Sequence, residues 1–144
     1  MATDFPSTLR LLIVDDDEIS RYLVRSVIGN QDFSVTEAAS GQEGLKRAAE
    51  ESPDVMVLYL MMPDLSGFEV LDRLKADERT AGIPVIIHTS KVLDEHERDL
   101  LSSAAAIVSK ESRSPDNSHD RFAAAFSKAG FPLSARPGKE AHHV

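Results

Sequence analysis

Short apolar segments alternate with amphipathic segments along the chain, and this alternation limits the possible folds more than any other feature of the sequence. Five short runs are β-branched or aliphatic, namely LRLLIV (9–14), FSVTEA (33–38), DVMVLYL (54–60), IPVIIH (83–88) and AAIVS (105–109), and three of them are nearly all apolar. Runs that are almost entirely apolar are typical of strands buried on both faces of a parallel sheet. The alternation therefore predicts a (βα)₅ fold, a doubly wound parallel five-stranded sheet with right-handed crossovers.

The segments between the apolar runs carry helix signals. The first helix is expected to begin after Asp17, to end at Gly29, and to bury one stripe made of Ile19, Leu23, Val27 and Ile28. Ser40 is the expected N-cap of the second helix, and Ser66 with Glu69 has the spacing of a capping box for the third.

Two further helices are expected in the second half of the chain. A polar helix is predicted over 94–103, and the last helix over 118–129 with Gly130 as its stop. Phe122, Ala125 and Phe126 are predicted to face the core from this last helix. We expect residues 1–8 to be an N-terminal extension, 9–130 to be the folded domain, and 131–144 to be a flexible polar tail.

Composition narrows the classes of partner. A net charge of −8 without a basic stripe disfavours direct binding to nucleic acid, and no apolar run reaches the ~20 residues that a membrane span needs. The absence of cysteine excludes disulfides, thiolate metal sites and a cysteine nucleophile, and it fits a cytoplasmic protein. We expect a monomer or a weak dimer.

Polar residues collect where the predicted strands end. The first strand is followed by Asp15, Asp16 and Asp17, and later strands end at Tyr59, at Thr89 with Ser90, and at Lys110. In open α/β sheets the carboxyl ends of the strands carry the binding site. Adjacent carboxylates repel unless a cation lies between them, and Mg²⁺ typically takes one or two carboxylates plus waters. A hydroxyl and a lysine nearby could hold the remaining oxygens of a phosphoryl group.

At these residues the chain resembles a known family. The blocks LLIVDDDE, PDVMVLYLMMPDLSGFEVL, PVIIHTS and AAIVSK are similar to the receiver domain of two-component response regulators, in order and in spacing, over roughly residues 9–129. The resemblance implies a flavodoxin-like strand order 2-1-3-4-5. It also implies that Asp15, Asp16 and the backbone carbonyl of Met61 bind Mg²⁺, and that Thr89 and Lys110 contact the phosphoryl group.

Three positions depart from the family pattern. The phospho-acceptor position, an aspartate in the family, is Tyr59; the aromatic switch position is Ile107; and the proline that usually follows the lysine is Glu111, where we expect a trans peptide bond. A phenol cannot form an acyl phosphate, and with a pKa near 10 it is neutral at pH 7. We therefore expect conventional phosphorylation to be blocked and Mg²⁺ binding to be weak or absent. The ring should fill part of the acidic cleft, with its hydroxyl near Lys110 or Asp16.

Three interpretations of Tyr59 remain open. It marks a degenerate receiver that signals without phosphate, or an Asp-to-Tyr change in an ordinary phosphorylatable receiver, or a receiver with another acceptor such as Asp16 or Asp64. An enzyme is the competing hypothesis, since Asp15-x-Asp17, Thr89 and Lys110 are also similar to haloacid dehalogenase-like phosphatases. Two features argue against that alternative. The sequence shows no downstream acidic pair that would supply the remaining metal ligands, and it shows no cap domain of the phosphatase kind.

The expected function is that of a single-domain receiver in phosphorelay signal transduction, and not that of an enzyme. By resemblance, its partners are a sensor histidine kinase or phosphotransfer protein, a downstream protein, or both. The downstream protein would bind the face formed by the fourth helix, the fifth strand and the fifth helix, about residues 93–129. Because Ile107 lacks the large ring of the family's switch residue, we expect this face to be fixed in one state or governed by partner binding.

Overall fold

The computed structural model describes residues 9–28, 33–109 and 118–133. Strands and helices alternate along them. The strands are β1 (Leu9–Val14), β2 (Phe33–Ala38), β3 (Val55–Tyr59), β4 (Val85–His88) and β5 (Ala106–Val108). The helices are α1 (Glu18–Ile28), α2 (Gly41–Glu51), α3 (Gly67–Ala76), α4 (Glu95–Leu100) and α5 (Ser118–Lys128).

The five strands form one parallel sheet in the order β2-β1-β3-β4-β5, which confirms the predicted fold and strand order. Each face of the sheet carries a buried apolar cluster. One cluster joins the sheet to α2 and α3 through residues such as Leu58, Val70 and Leu74, and the other joins it to α1 and α5 through residues such as Ile13 and Phe126. The sheet is thus covered on both sides, as its apolar strands require.

The predicted inward stripe of α1 is wrong at its first two positions. Ile19 is 68% exposed and Leu23 is 55% exposed, whereas Val24 and Ile28 are buried. The reason is the polar residue Ser20, which takes the inward position of the first turn and donates from its hydroxyl to Asp15 at 2.5 Å. The inward-facing stripe of α1 therefore begins at Ser20. A prediction from hydropathy alone begins the stripe one residue too early, at Ile19.

The helix caps follow the sequence signals in most places. Ser40 and Ser66 accept hydrogen bonds from the N3 amide groups of α2 and α3, and α5 buries Phe122, Ala125 and Phe126. The predicted fourth helix is too long: α4 ends at Leu100, and residues 101–103 form turns. Asp94 and Glu97 form a complete capping box at its start.

Several predicted features lie outside the described residues. They include the extension 1–8, most of the tail 131–144, the helix stop at Gly29, and both Lys110 and Glu111. None of the described helices has the length and apolar character needed to cross a bilayer.

Candidate functional site

A cavity of about 520 Å³ lies at the carboxyl ends of β1, β3 and β4, between α1 and α5. We call it the strand-end cavity. Its described lining comprises Asp15, Asp16, Asp17, Ile19, Ser20, Leu23, Val24, Val27, Tyr59, Met61, His88, Ser90 and Phe122. The structure therefore brings together four of the six site residues that the sequence indicated: both members of the acidic pair, Tyr59 and Met61.

Asp15 is the buried member of the acidic pair. Its side chain is 1% exposed, and each carboxylate oxygen accepts one hydrogen bond, Oδ1 from the Asp17 amide at 3.0 Å and Oδ2 from the Ser20 hydroxyl at 2.5 Å. Burial raises the pKa of this carboxyl above 3.8, although both hydrogen bonds act in the opposite direction. One lone pair on each Asp15 carboxylate oxygen is thus used in the turn that leads into α1.

The other two aspartates differ from Asp15 because they are exposed. Asp17 precedes α1 and accepts from the Ile19 amide at 3.0 Å, which is the N-cap role expected from the sequence. Within the described residues, the Asp16 carboxylate accepts no hydrogen bond and forms no ion pair, and it faces the strand-end cavity. Among the described contacts of this turn, Asp16 is therefore the acid whose carboxylate oxygens are unpaired.

Tyr59 ends β3 beside His88, its register partner on β4. The two ring centroids lie 5.7 Å apart, and the His88 ring lies 5.3 Å from the Phe122 ring on α5. The interplanar angles are 53° and 56°, so these three residues form a continuous row of tilted rings from the end of β3 to α5, which we call the ring stack. Residue 59 is therefore packed against apolar and aromatic neighbours, in addition to lining a cavity that three carboxylates border.

His88 is the site residue whose importance the sequence did not reveal. Its Nδ1 atom is buried and has no hydrogen-bond partner among the described residues, and burial with the nearby Arg121 guanidinium lowers its pKa from 6.5 to about 4. The imidazole is therefore neutral at pH 7. A histidine at the end of an apolar strand was the only available signal, and its ring contacts depend on the register between β3 and β4.

Thr89 lies next to the cavity but is not among its described lining residues. It is 3% exposed, its amide donates to the Val108 carbonyl, and its hydroxyl oxygen accepts from the Lys91 amide at 3.2 Å. Its neighbours His88 and Ser90 both line the cavity, as expected if successive side chains near a strand end alternate in direction. Lys110, the other predicted phosphoryl contact, lies outside the described residues.

Asp64 has a structural position away from the cavity. Its two carboxylate oxygens accept from the Gly41 and Gln42 amides at the start of α2, each at 3.0 Å. These hydrogen bonds, that from Gly41 above all, lower the pKa of Asp64 below 3.8. The carboxylate therefore joins the loop after β3 to the second helix.

The acidic residues fit a bound Mg²⁺ only in part. Across the described ranges, no three Asp, Glu, His or Cys side chains are grouped as metal ligands. Mg²⁺ needs at least one free carboxylate and completes its octahedron with waters, and Asp16 supplies that group. Asp15 can offer only the second lone pairs of oxygens that already accept hydrogen bonds. At the end of β3, Tyr59 contributes a phenol to the cavity and no carboxylate.

Comparison with known proteins agrees with the fold and the motifs. The sequence profile described as the response regulator receiver domain matches residues 11–119. Protein PilH of Pseudomonas aeruginosa is 38% identical over 82 residues, which are 57% of this chain and 68% of PilH. The polar-differentiation response regulator DivK of Brucella ovis is 34% identical over 104 residues, which are 72% of this chain and 85% of DivK.

Other relatives are longer than this chain. The DNA-binding dual master transcriptional regulator RpaA of Synechocystis is 41% identical over 81 residues, and the match spans 34% of its length. Among solved structures, the chemotaxis protein CheY4 of Vibrio cholerae has a TM-score of 0.73 at 21% identity, with 85% of this chain and 99% of that chain covered. The N-terminal domain of a response regulator receiver protein from Methanoculleus marisnigri has a TM-score of 0.66 at 28% identity. The match covers 84% of this chain and 96% of that chain. The chain therefore belongs to the response regulator receiver domain family.

Proposed function

We propose that this chain is a receiver domain that acts through protein–protein contacts in two-component signalling and does not accept a phosphoryl group at position 59. The observation that carries the proposal is the position of Tyr59, at the end of β3 in a cavity that Asp15 and Asp16 also line. In the family this position holds the phospho-acceptor aspartate. A phenol offers no carboxylate for an acyl phosphate.

The surroundings of Tyr59 support this proposal. Its ring packs against the His88 ring, and His88 packs against Phe122, so the position is stabilised by aromatic contacts. The hydroxyl forms no hydrogen bond with the described residues, Asp16 among them. The partial fit of the acidic residues to Mg²⁺ also supports the proposal. A carboxylate at position 59 would both accept the phosphoryl group and complete the metal site, and the phenol can do neither.

The proposed partners are a sensor histidine kinase or phosphotransfer protein, a downstream protein, or both. The proposed contact face for the downstream protein is formed by α4, β5 and α5. Ile107 stands on β5 at the family's aromatic switch position and is half-buried against the core. A branched aliphatic side chain in this environment has no ring that could swing outward. This supports the proposal that partner binding, and not phosphorylation, controls the state of this face.

The proposal is tested with three chains: the protein as it stands, Tyr59→Asp, and Tyr59→Asn as a matched control that removes the ring without adding a carboxylate. Each is incubated with acetyl phosphate and Mg²⁺ and measured by intact mass spectrometry. We expect one added phosphoryl group, labile to hydroxylamine, in Tyr59→Asp alone. Far-UV circular dichroism on all three chains verifies that they are folded.

Two results would contradict the proposal in different ways. A hydroxylamine-labile phosphoryl group on the unchanged chain would mean that another carboxylate, such as Asp16 or Asp64, is the acceptor. A folded Tyr59→Asp chain that takes no phosphoryl group would mean that the remaining family residues do not form a working phosphoryl site, so the phenol at position 59 would not be what prevents phosphorylation.

A further inference from the structure

We propose that Ser109, which directly follows β5, holds α4 and α5 to the edge of the sheet and thereby keeps the α4–β5–α5 face in one state. Arg98 on α4 and Arg121 on α5 both donate hydrogen bonds to this serine, and we call the three residues the Ser109 cluster. The inference rests on the proposed function and deepens it, because it identifies the contact that a downstream partner would have to keep or break.

The helix α4 has little of its own to hold it in place. Among the described helices it alone buries none of its residues. It has six residues, fewer than the ~12–15 that an isolated helix needs to be even marginally stable. The buried Leu93 and Leu101 flank the helix, and its capping box is local to the first turn. The position of α4 between these leucines therefore depends on contacts of its polar side chains.

Arg98 supplies the polar contact between α4 and the end of β5. Its Nη2 atom donates to the Ser109 hydroxyl oxygen at 3.3 Å. The other described side-chain contacts of α4 are those of Glu97, and they go to Lys91 and Asp94 in the loop before the helix. Within the described residues, the bond from Arg98 is therefore the one that ties a side chain of α4 to a strand end.

A second guanidinium reaches Ser109 from the other side of the sheet. The serine is buried, and its carbonyl accepts from Nη1 of Arg121 at 2.8 Å. The leucines that flank α4 belong to the apolar cluster on one face of the sheet, whereas Phe122 of α5 belongs to the cluster on the other face. Ser109 thus joins two helices that pack into different apolar clusters.

Ile107 cannot provide this link. It lies two residues before Ser109, half-buried against one apolar cluster, and its side chain has no donor or acceptor. A polar connection between α4 and the end of β5 therefore falls to the serine. Loss of a typical hydrogen bond raises the population of the separated state by about twofold to tenfold. Because α4 has few other attachments, its local opening should respond to that loss.

The test is amide hydrogen exchange of the full chain under native conditions, without a phosphodonor. The reporter is the Leu101 amide, which donates to the Glu97 carbonyl at 3.2 Å at the end of α4. Arg98→Ala and Ser109→Ala should each accelerate its exchange by about twofold to tenfold. The Gly44 amide, bonded to the Ser40 carbonyl at the start of α2, should be unaffected. Alanine is the best helix former, so Arg98→Ala cannot act by lowering helix propensity.

Three further variants separate a shared cluster from general loosening of the protein. Arg121→Ala frees the Ser109 carbonyl and should accelerate exchange at the Leu101 amide, although α5 packs on the other face of the sheet. The double variant Arg98→Ala/Ser109→Ala should exchange no faster than either single variant, because both remove the same hydrogen bond. The control Arg73→Ala removes an exposed arginine of α3 and should leave exchange at Leu101 unchanged.

The inference is overturned if Arg98→Ala leaves exchange at Leu101 unchanged, if the two single effects multiply in the double variant, or if Arg73→Ala has the same effect. It is also overturned if Arg121→Ala accelerates exchange in α5 alone. Because Arg98 is exposed, Arg98→Ala should fold normally and decides the matter even if a variant of the buried Ser109 does not fold.

These outcomes are independent of the acetyl phosphate experiment. A chain that takes phosphate only as Tyr59→Asp, and whose α4 exchange does not respond to Arg98→Ala, would refute the role of the Ser109 cluster and leave the proposed function intact.

Discussion

Replacing His88 by phenylalanine should stabilise the protein in weak acid. His88 lies in the ring stack between Tyr59 and Phe122, and its Nδ1 atom is buried without a hydrogen bond to any described residue. Phenylalanine keeps a ring in the stack and removes both the unpaired nitrogen and the titration. Leaving a buried polar atom unpaired costs about 1–3 kcal/mol. The variant should therefore be at least as stable as the parent even at neutral pH.

The size of the acid effect follows from the pKa. Burial and the Arg121 guanidinium lower the pKa of His88 from 6.5 in the unfolded chain to about 4 in the folded protein. Between these two values the unfolded chain binds a proton that the folded protein does not, so stability decreases as pH falls. The contribution is fully present above pH 6.5 and is lost as pH falls through about 4. The complete loss is about 3 kcal/mol, and about 2 kcal/mol of it is reached at pH 5.

The measurement is urea unfolding, followed by far-UV circular dichroism, at neutral pH and at about pH 5. The stability difference between His88→Phe and the parent should grow by about 2 kcal/mol between these conditions. Taking this difference cancels the titration of other groups, such as Asp15. His96→Phe is the matched control, since His96 is exposed on α4. If His88→Phe and the parent lose stability in parallel, the imidazole is not buried in its neutral form.

Two further changes test how the second helix is held in place. Asp64→Ala removes the acceptor of two backbone amides at the start of α2 and should lower the free energy of unfolding in urea by about 1–2 kcal/mol. The control Asp72→Ala, on the exposed face of α3, should lower it much less. Equal losses of stability in the two variants would contradict the capping role of Asp64. Gly44→Ala places a methyl group 2.7 Å from Cγ1 of the buried Val14, so it should lower stability by about 1–3 kcal/mol in thermal unfolding. A neutral outcome would show that α2 does not approach β1 so closely.

The sequence predicts the fold well because its signals are local and repeated. Most strands are nearly continuous apolar runs, with β2 (FSVTEA) as the exception, and residues such as Ser40 and Ser66 stand where the helices begin. Alternation of the two element types leaves one common architecture with right-handed crossovers. The strand order follows from the family resemblance, and it is confirmed.

The site was less predictable because it depends on tertiary contacts. Ser20 looks like an ordinary polar residue of α1, yet its hydroxyl bonds to Asp15 on the face of the helix that also buries Val24 and Ile28. Asp64 bonds to residues more than twenty positions earlier in the chain, and the His88 ring contacts arise from the register between β3 and β4. No local pattern carries such information.

The structure also clarifies why a chain with a phenol at position 59 still contains an acidic pair. Asp15 binds the Ser20 hydroxyl and the Asp17 amide through its side chain, and its carbonyl accepts from the Arg21 guanidinium at 2.7 Å. This aspartate therefore has a structural role in starting α1, which is by itself a reason for its presence in the chain. Asp16 has no such role among the described contacts. It follows that substitution of Asp16 alone, without Asp15, is the change that should test whether the cavity binds a ligand.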